Sequence, residues 1–70
     1  MKITFTFHAE LRLKKRKISK QEAIEATKFP DKTIKKHGKY YYQKKLERGT
    51  IEVVAEITED NLNIITIYWL

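Results

Sequence analysis

Seventy residues without cysteine make one domain, residues 1–70, with neither a disulfide nor a thiolate metal ligand. A chain this short buries only about 60% of its unfolded surface, so its stability is marginal. The net charge of +6 fits an anionic partner, and no apolar run approaches the roughly 20 residues that span a bilayer.

The charge is unevenly placed. Residues 12–45 hold thirteen Lys or Arg against Glu22, Glu25 and Asp31, while residues 46–70 are net acidic. A basic face of this kind is the electrostatic footprint expected for nucleic acid. A Lys-rich surface with no partner has the same composition. The apolar run ITFTF is too short for a secretory signal and is followed at once by charge, so a cytoplasmic, soluble protein is expected.

Residues 2–7 alternate polar and apolar, which puts Ile3, Phe5 and Phe7 on one face of a strand. A helix fits His8 to about Lys17. Ser19 and Glu22 then form a capping box, with Ile18 and Ala23 at the staple positions, and open a second helix that runs to about Lys28. Phe29-Pro30-Asp31 stops it, because a residue before proline avoids helical geometry.

The period then changes to two. Lys32–Lys36 is a short basic strand and His37-Gly38 a hairpin turn. Lys39–Leu46 is a strand carrying Tyr40, Tyr41 and Tyr42. After a turn at Arg48-Gly49, Thr50–Thr58 places Ile51, Val53, Ala55 and Ile57 inward and Glu52 and Glu56 outward. Glu59-Asp60-Asn61 is the last turn. Leu62–Leu70 reads as apolar on both faces (Ile64, Ile65, Ile67, Trp69), as a central strand does. The order β-α-α-β-β-β-β predicts a two-layer α+β domain with both helices on one face of a mainly antiparallel sheet. Pairing of the first strand with the last would make the last internal and bring the termini together.

Two sets of residues can carry chemistry. His8, Arg12 and Arg16 lie four apart, so one helical face presents an imidazole and two guanidiniums. The arginines can hold phosphate bidentately, and the imidazole suits proton transfer near neutral pH. The stripe borders a cleft only if Ala9 and Leu13 pack on the sheet; if Leu11 packs instead, it is solvated. An arginine that caps backbone carbonyls, or pairs with Glu52 or Glu56, is the structural alternative. The second set is Lys39-Tyr40-Tyr41-Tyr42-Gln43-Lys44-Lys45. One or two of its tyrosines are core and the others stand among lysines, where Tyr41 or Tyr42 could stack single-stranded bases. Lys15, Lys35, Lys36, Lys39, Lys44 and Lys45 are the cations expected at such an interface. No metal-ligand spacing and no Gly-rich phosphate loop is present, so no cofactor is expected, and His37 reads as a turn residue.

The segment FHAELRLKKRKISKQEAIEA resembles the opening of a family of small microbial proteins of unknown function. That family carries His-x-x-x-Arg-x-x-x-Arg, followed by a capped second helix ending near Pro. Its later strands read like IEVVAEI and IITIYW, as here. The family is in turn similar to RelE/ParE-type toxins and related metal-independent ribonucleases. The resemblance implies a RelE-like fold and an RNA-binding, toxin-like protein of a toxin–antitoxin system, with an acidic antitoxin as partner. It extends to endoribonuclease activity carried by His8, Arg12 and Arg16, with Tyr68 as counterpart of a C-terminal tyrosine. The family's usual Gly after the second Arg is Lys17 here. A non-catalytic nucleic-acid-binding module, or a domain that meets an acidic protein, are the competing expectations.

Overall fold

The computed structural model describes residues 1–70. Its elements are β1 (Lys2–Phe5), α1 (Phe7–Arg16), α2 (Lys20–Lys28), β2 (Lys32–Lys36), β3 (Lys39–Leu46), β4 (Gly49–Thr58) and β5 (Asn61–Trp69). The sheet order is β1-β5-β4-β3-β2. The meander β2–β5 is antiparallel and β1 joins β5 in parallel. The domain is therefore α+β, two helices on one face of a mixed five-stranded sheet.

The expected β1–β5 pairing forms, but not as a closure of the termini. Lys2 pairs with Asn61 and Phe5 with Ile64, so Met1 lies beside the start of β5 and Leu70 at its far end. The strands run in the same direction because the chain turns from β1 into α1 partway along β5, where the Thr6 amide donates to the Ile64 carbonyl.

Thr6 also corrects the first boundary. Its side chain accepts from the Ala9 amide at 3.1 Å and caps α1, so the strand ends before Phe7. Phe7 becomes the first helical residue and is 79% exposed rather than core. At the other end, Lys17 sits in the left-handed region, with φ 57° and ψ 45°, and its amide reaches back to the Leu13 and Lys14 carbonyls. Glycine is the residue that takes this C-cap conformation without a Cβ penalty. The helix ends there all the same, because Ile18 is buried immediately after it. The Ser19–Glu22 capping box then opens α2 as its sequence predicts.

Ala9 and Leu13 of α1 and Ala23 and Ala26 of α2 pack against Ile51, Val53, Ala55, Leu62, Ile64 and Ile67 of the sheet. The alanines let the helix backbones approach the sheet closely. The apparent two-faced apolarity of the last strand has a simple cause. A bulge opposite Val54–Ala55 makes Thr66 pair with Val54 but Ile64 with Ala55, which leaves Ile65 as the extra residue. One extra residue changes the parity of the strand. Leu62 and Ile64 before the bulge, and Ile67 and Trp69 after it, therefore all serve the same core. Ile57, expected inward, is 37% exposed near the end of β4.

A second cluster locks the helical corner to the sheet. Arg48, in the β3–β4 turn, holds both Glu22 carboxylate oxygens at 2.7 Å and donates to the Lys17 carbonyl at 3.1 Å. Its guanidinium lies 5.2 Å from the Trp69 ring centre. Gly49 makes room for that ring: a Cβ there would meet Trp69 Cε3 at 3.3 Å.

Candidate functional site

The condition set for the helical stripe is met: Ala9 is fully buried and Leu13 is 5% exposed, so α1 packs by that face. The stripe nonetheless does not form one open phosphate site. The Arg16 guanidinium donates to the Ile67 carbonyl at 2.8 Å, and its own carbonyl accepts from the Trp69 indole at 3.0 Å. Arg16 thus ties α1 to β5, as the carbonyl-capping alternative describes. Arg12 donates through Nε to His8 Nε2 at 3.2 Å, so these two remain together at the surface. Neither of the surface concavities is lined by His8, Arg12 or Arg16.

Tyr68 stands apart from all three. It pairs with Glu52, and the neighbours of Glu52 in β4, Ile51 and Val53, face the helices. Side chains alternate along a strand, so Glu52 and Tyr68 lie on the other face of the sheet. No helix covers that face.

The tyrosine-rich strand divides by the same rule. Tyr40 and Tyr42 stack with ring centres 6.0 Å apart on the helix side, and Tyr42 is 7% exposed in the core. Burial, and then the Tyr40 charge, raise the Tyr42 phenol above its ordinary ionisation range. Tyr42 has no free ring face for a base. Lys35 lies over Tyr40, 5.4 Å from its ring centre, and Lys44 donates to the Phe29 carbonyl at 2.9 Å, so both also belong to the helix side. Lys15 is exposed on α1.

Tyr41 goes the other way. It pairs with Ile34 on one side and Val54 on the other. Lys36 and Lys39 pair with each other two residues away on this uncovered face, and Lys45 lies further along β3. Of the expected interface residues, the fold thus gathers Tyr41, Lys36, Lys39 and Lys45 on one surface. Lys15, Lys35, Tyr42 and Lys44 are left behind the sheet.

That surface holds a concavity of about 330 Å³ lined by Ile34, Lys36, His37, Tyr41 and Glu52. His37 reaches it from the β2–β3 turn, where His37 and Gly38 both have positive φ (54° and 75°), the signature of a primed hairpin turn. Gly would take this φ at lower conformational cost than His. Glu52 is the sheet's buried carboxylate, only 8% exposed. Gln43 donates to its Oε2 at 2.8 Å, and the Tyr68 hydroxyl donates to its Oε1. Burial first, and then the Glu52 bond and charge, push the Tyr68 phenol up to about 12, so Tyr68 stays neutral at physiological pH.

Glu52 and His37 are the site residues that the sequence did not reveal. Alternation correctly sends Glu52 away from the core, but outward in this strand does not mean solvated. Gln43 and Tyr68 bond to it, and Tyr41 lines the same concavity. His37 was legible as a turn residue; that its turn borders a concavity depends on the packing of β4 beside β3.

These features define a small two-layer α+β domain with one sheet face covered by helices and the other left open, basic at the β2–β3 edge and carrying aromatic and carboxylate groups. The chain belongs to the family described as Domain of unknown function (DUF4258), which it matches over residues 5–69. No curated protein and no solved structure matches it. No helix is long and apolar enough to cross a membrane.

Proposed function

We propose that this domain binds single-stranded RNA through the uncovered face of its sheet, as a toxin-like protein of the kind the RelE/ParE resemblance implies. The observation that carries the reading is Tyr41. It is half-buried and held between Ile34 and Val54, with Lys36, Lys39 and Lys45 around it on the same face. An aromatic ring fixed in a sheet offers a stacking platform at little entropic cost, and each stacked base contributes about 1–3 kcal/mol. The lysines neutralise the phosphates that flank such a base. The order of strand, two helices and antiparallel meander is also the one the resemblance implies.

The test is affinity for a short fluorescent oligouridylate across a salt series. Affinity should fall linearly on logarithmic axes, and Lys36→Glu or Lys45→Glu should reduce both affinity and slope. Tyr41→Ala should weaken binding about tenfold or more with the slope unchanged. An acidic antitoxin-like protein would use the same lysines but not the ring, so binding of an acidic chain indifferent to Tyr41→Ala would favour the protein-interaction reading. A flat salt response contradicts RNA binding.

Cleavage extends this reading. His37 and Tyr68 are candidate proton carriers on the same face. As the 2′-hydroxyl attacks the neighbouring phosphate, the bond to the 5′-oxygen breaks; one proton leaves the 2′-hydroxyl and one reaches the departing 5′-oxygen. The lysines would stabilise the charge developing on the phosphate. Strand scission in a chelator, lost on 2′-deoxy substitution and in His37→Ala, would establish it; scission that persists in His37→Ala and Tyr68→Phe would place the chemistry elsewhere.

A further inference from the structure

We infer that the concavity beside Glu52 is a base-reading pocket that takes guanine from a single strand; this rests on the RNA-binding reading and adds the identity of the base. Glu52 lines that concavity from β4. It is 8% exposed, yet the ion pairs of the fold are Lys20 with Glu10 and Arg48 with Glu22, and none reaches it. A nearly buried carboxylate without a cation is a costly arrangement unless hydrogen-bond donors satisfy it. Its partners are neutral donors, the Gln43 amide and the Tyr68 hydroxyl. A carboxylate accepts at about four positions, so these donors leave acceptor capacity on a group that lines the concavity.

The ligand that completes such a group has adjacent N–H donors. On their Watson–Crick edges, adenine and cytosine each set an amino group beside a ring-nitrogen acceptor, and uracil flanks its N–H with carbonyls. Guanine alone places the N1–H and N2–H donors side by side. Facing a carboxylate, it gains hydrogen bonds where the other bases meet at least one acceptor. Single-stranded RNA exposes that edge for reading. The space of about 330 Å³ is at the lower end of ligand pockets and suits one planar base. Tyr41 supplies the ring beside it, and Lys36 a cation for the attached phosphate. An arginine side chain is the other ligand with paired N–H donors, but Lys36, Lys39 and Lys45 repel a cationic peptide.

The test uses wild-type protein and five-nucleotide oligouridylates whose central position is G, A, C or inosine, read by fluorescence anisotropy. The G strand should bind about tenfold or more tighter than the A or C strands, because a buried acceptor left unpaired discriminates strongly. Inosine lacks the 2-amino group and should fall between. Glu52→Gln should bring the G and A strands to within about twofold of each other. Equal affinity for G, A and inosine strands overturns the inference while leaving RNA binding intact, and tighter binding of a Gly-Arg-Gly peptide than of the G strand overturns it in favour of a peptide ligand. Absence of binding to every strand removes the RNA-binding reading as well. The inosine comparison needs no variant, so it stands even if Glu52→Gln fails to fold.

Discussion

Glu52 and Tyr68 face each other across β4 and β5 on the uncovered side of the sheet, the phenol donating its proton to the carboxylate. Burial first, and then this pair, keep Tyr68 in its neutral form. Because the folded state raises the phenol to about 12, above its ordinary value of 10.0, the resulting stabilisation is complete below pH 10 and is lost as pH rises from there through about 12. A spectrophotometric titration of tyrosinate should show a late step that Tyr68→Phe removes. Glu52→Gln should move that step down only partway, since burial is the larger cause.

The Glu22 carboxyl behaves in the opposite sense. The Ser19 backbone amide, and next the Arg48 guanidinium, hold it below its ordinary value of 4.5. Its stabilisation is therefore present above that pH and is lost as pH falls through the lower folded value. Glu22→Gln should lower stability by about 1 kcal/mol at neutral pH and flatten the acid limb of a denaturation series. An unchanged acid limb would contradict the assignment.

Arg16 and Arg12 should separate by what they hold. Arg16→Ala leaves the Ile67 carbonyl without its donor and should cost about 1–2 kcal/mol, several degrees of melting temperature in a chain of this size. Arg12→Ala should stay within about 0.5 kcal/mol of wild type. Calorimetry on the two variants decides; equal effects would remove Arg16 from its structural role.

Lys17→Gly should stabilise the protein by about 1 kcal/mol, because Lys17 occupies the left-handed C-cap with φ 57°. Chemical denaturation with an unchanged slope is the measurement. A loss of stability would show that the conformational freedom glycine adds to the unfolded chain outweighs the relief.

Local signals carried well from sequence to structure. The Ser19 capping box, the Pro30 stop and the His37-Gly38 turn are decided by neighbouring residues, and each forms where its residues predict. The helix stripe shows the limit. Spacing aligns His8, Arg12 and Arg16 on α1, but only the nearness of β5 decides that Arg16 finds the Ile67 carbonyl. Likewise alternation separates Tyr41 from Tyr42 but does not say which of them the helices cover. The bulge at Ile65 has no local sequence signal, since both of its sides are apolar. The candidate site was half legible for this reason: Tyr41 and the lysines were visible in the sequence, whereas Glu52 and His37 acquire their place from strands packed side by side.

The central claim is that RNA meets the uncovered sheet face and not the α1 stripe. Amide and aromatic NMR shifts during titration with a short G-containing oligouridylate test it most directly. Perturbations should map to Lys36, His37, Tyr41, Lys45, Glu52 and Tyr68, with His8, Arg12 and Lys15 unmoved. Shifts that cluster on His8, Arg12 and Lys15, with Tyr41 and Glu52 unmoved, would contradict it.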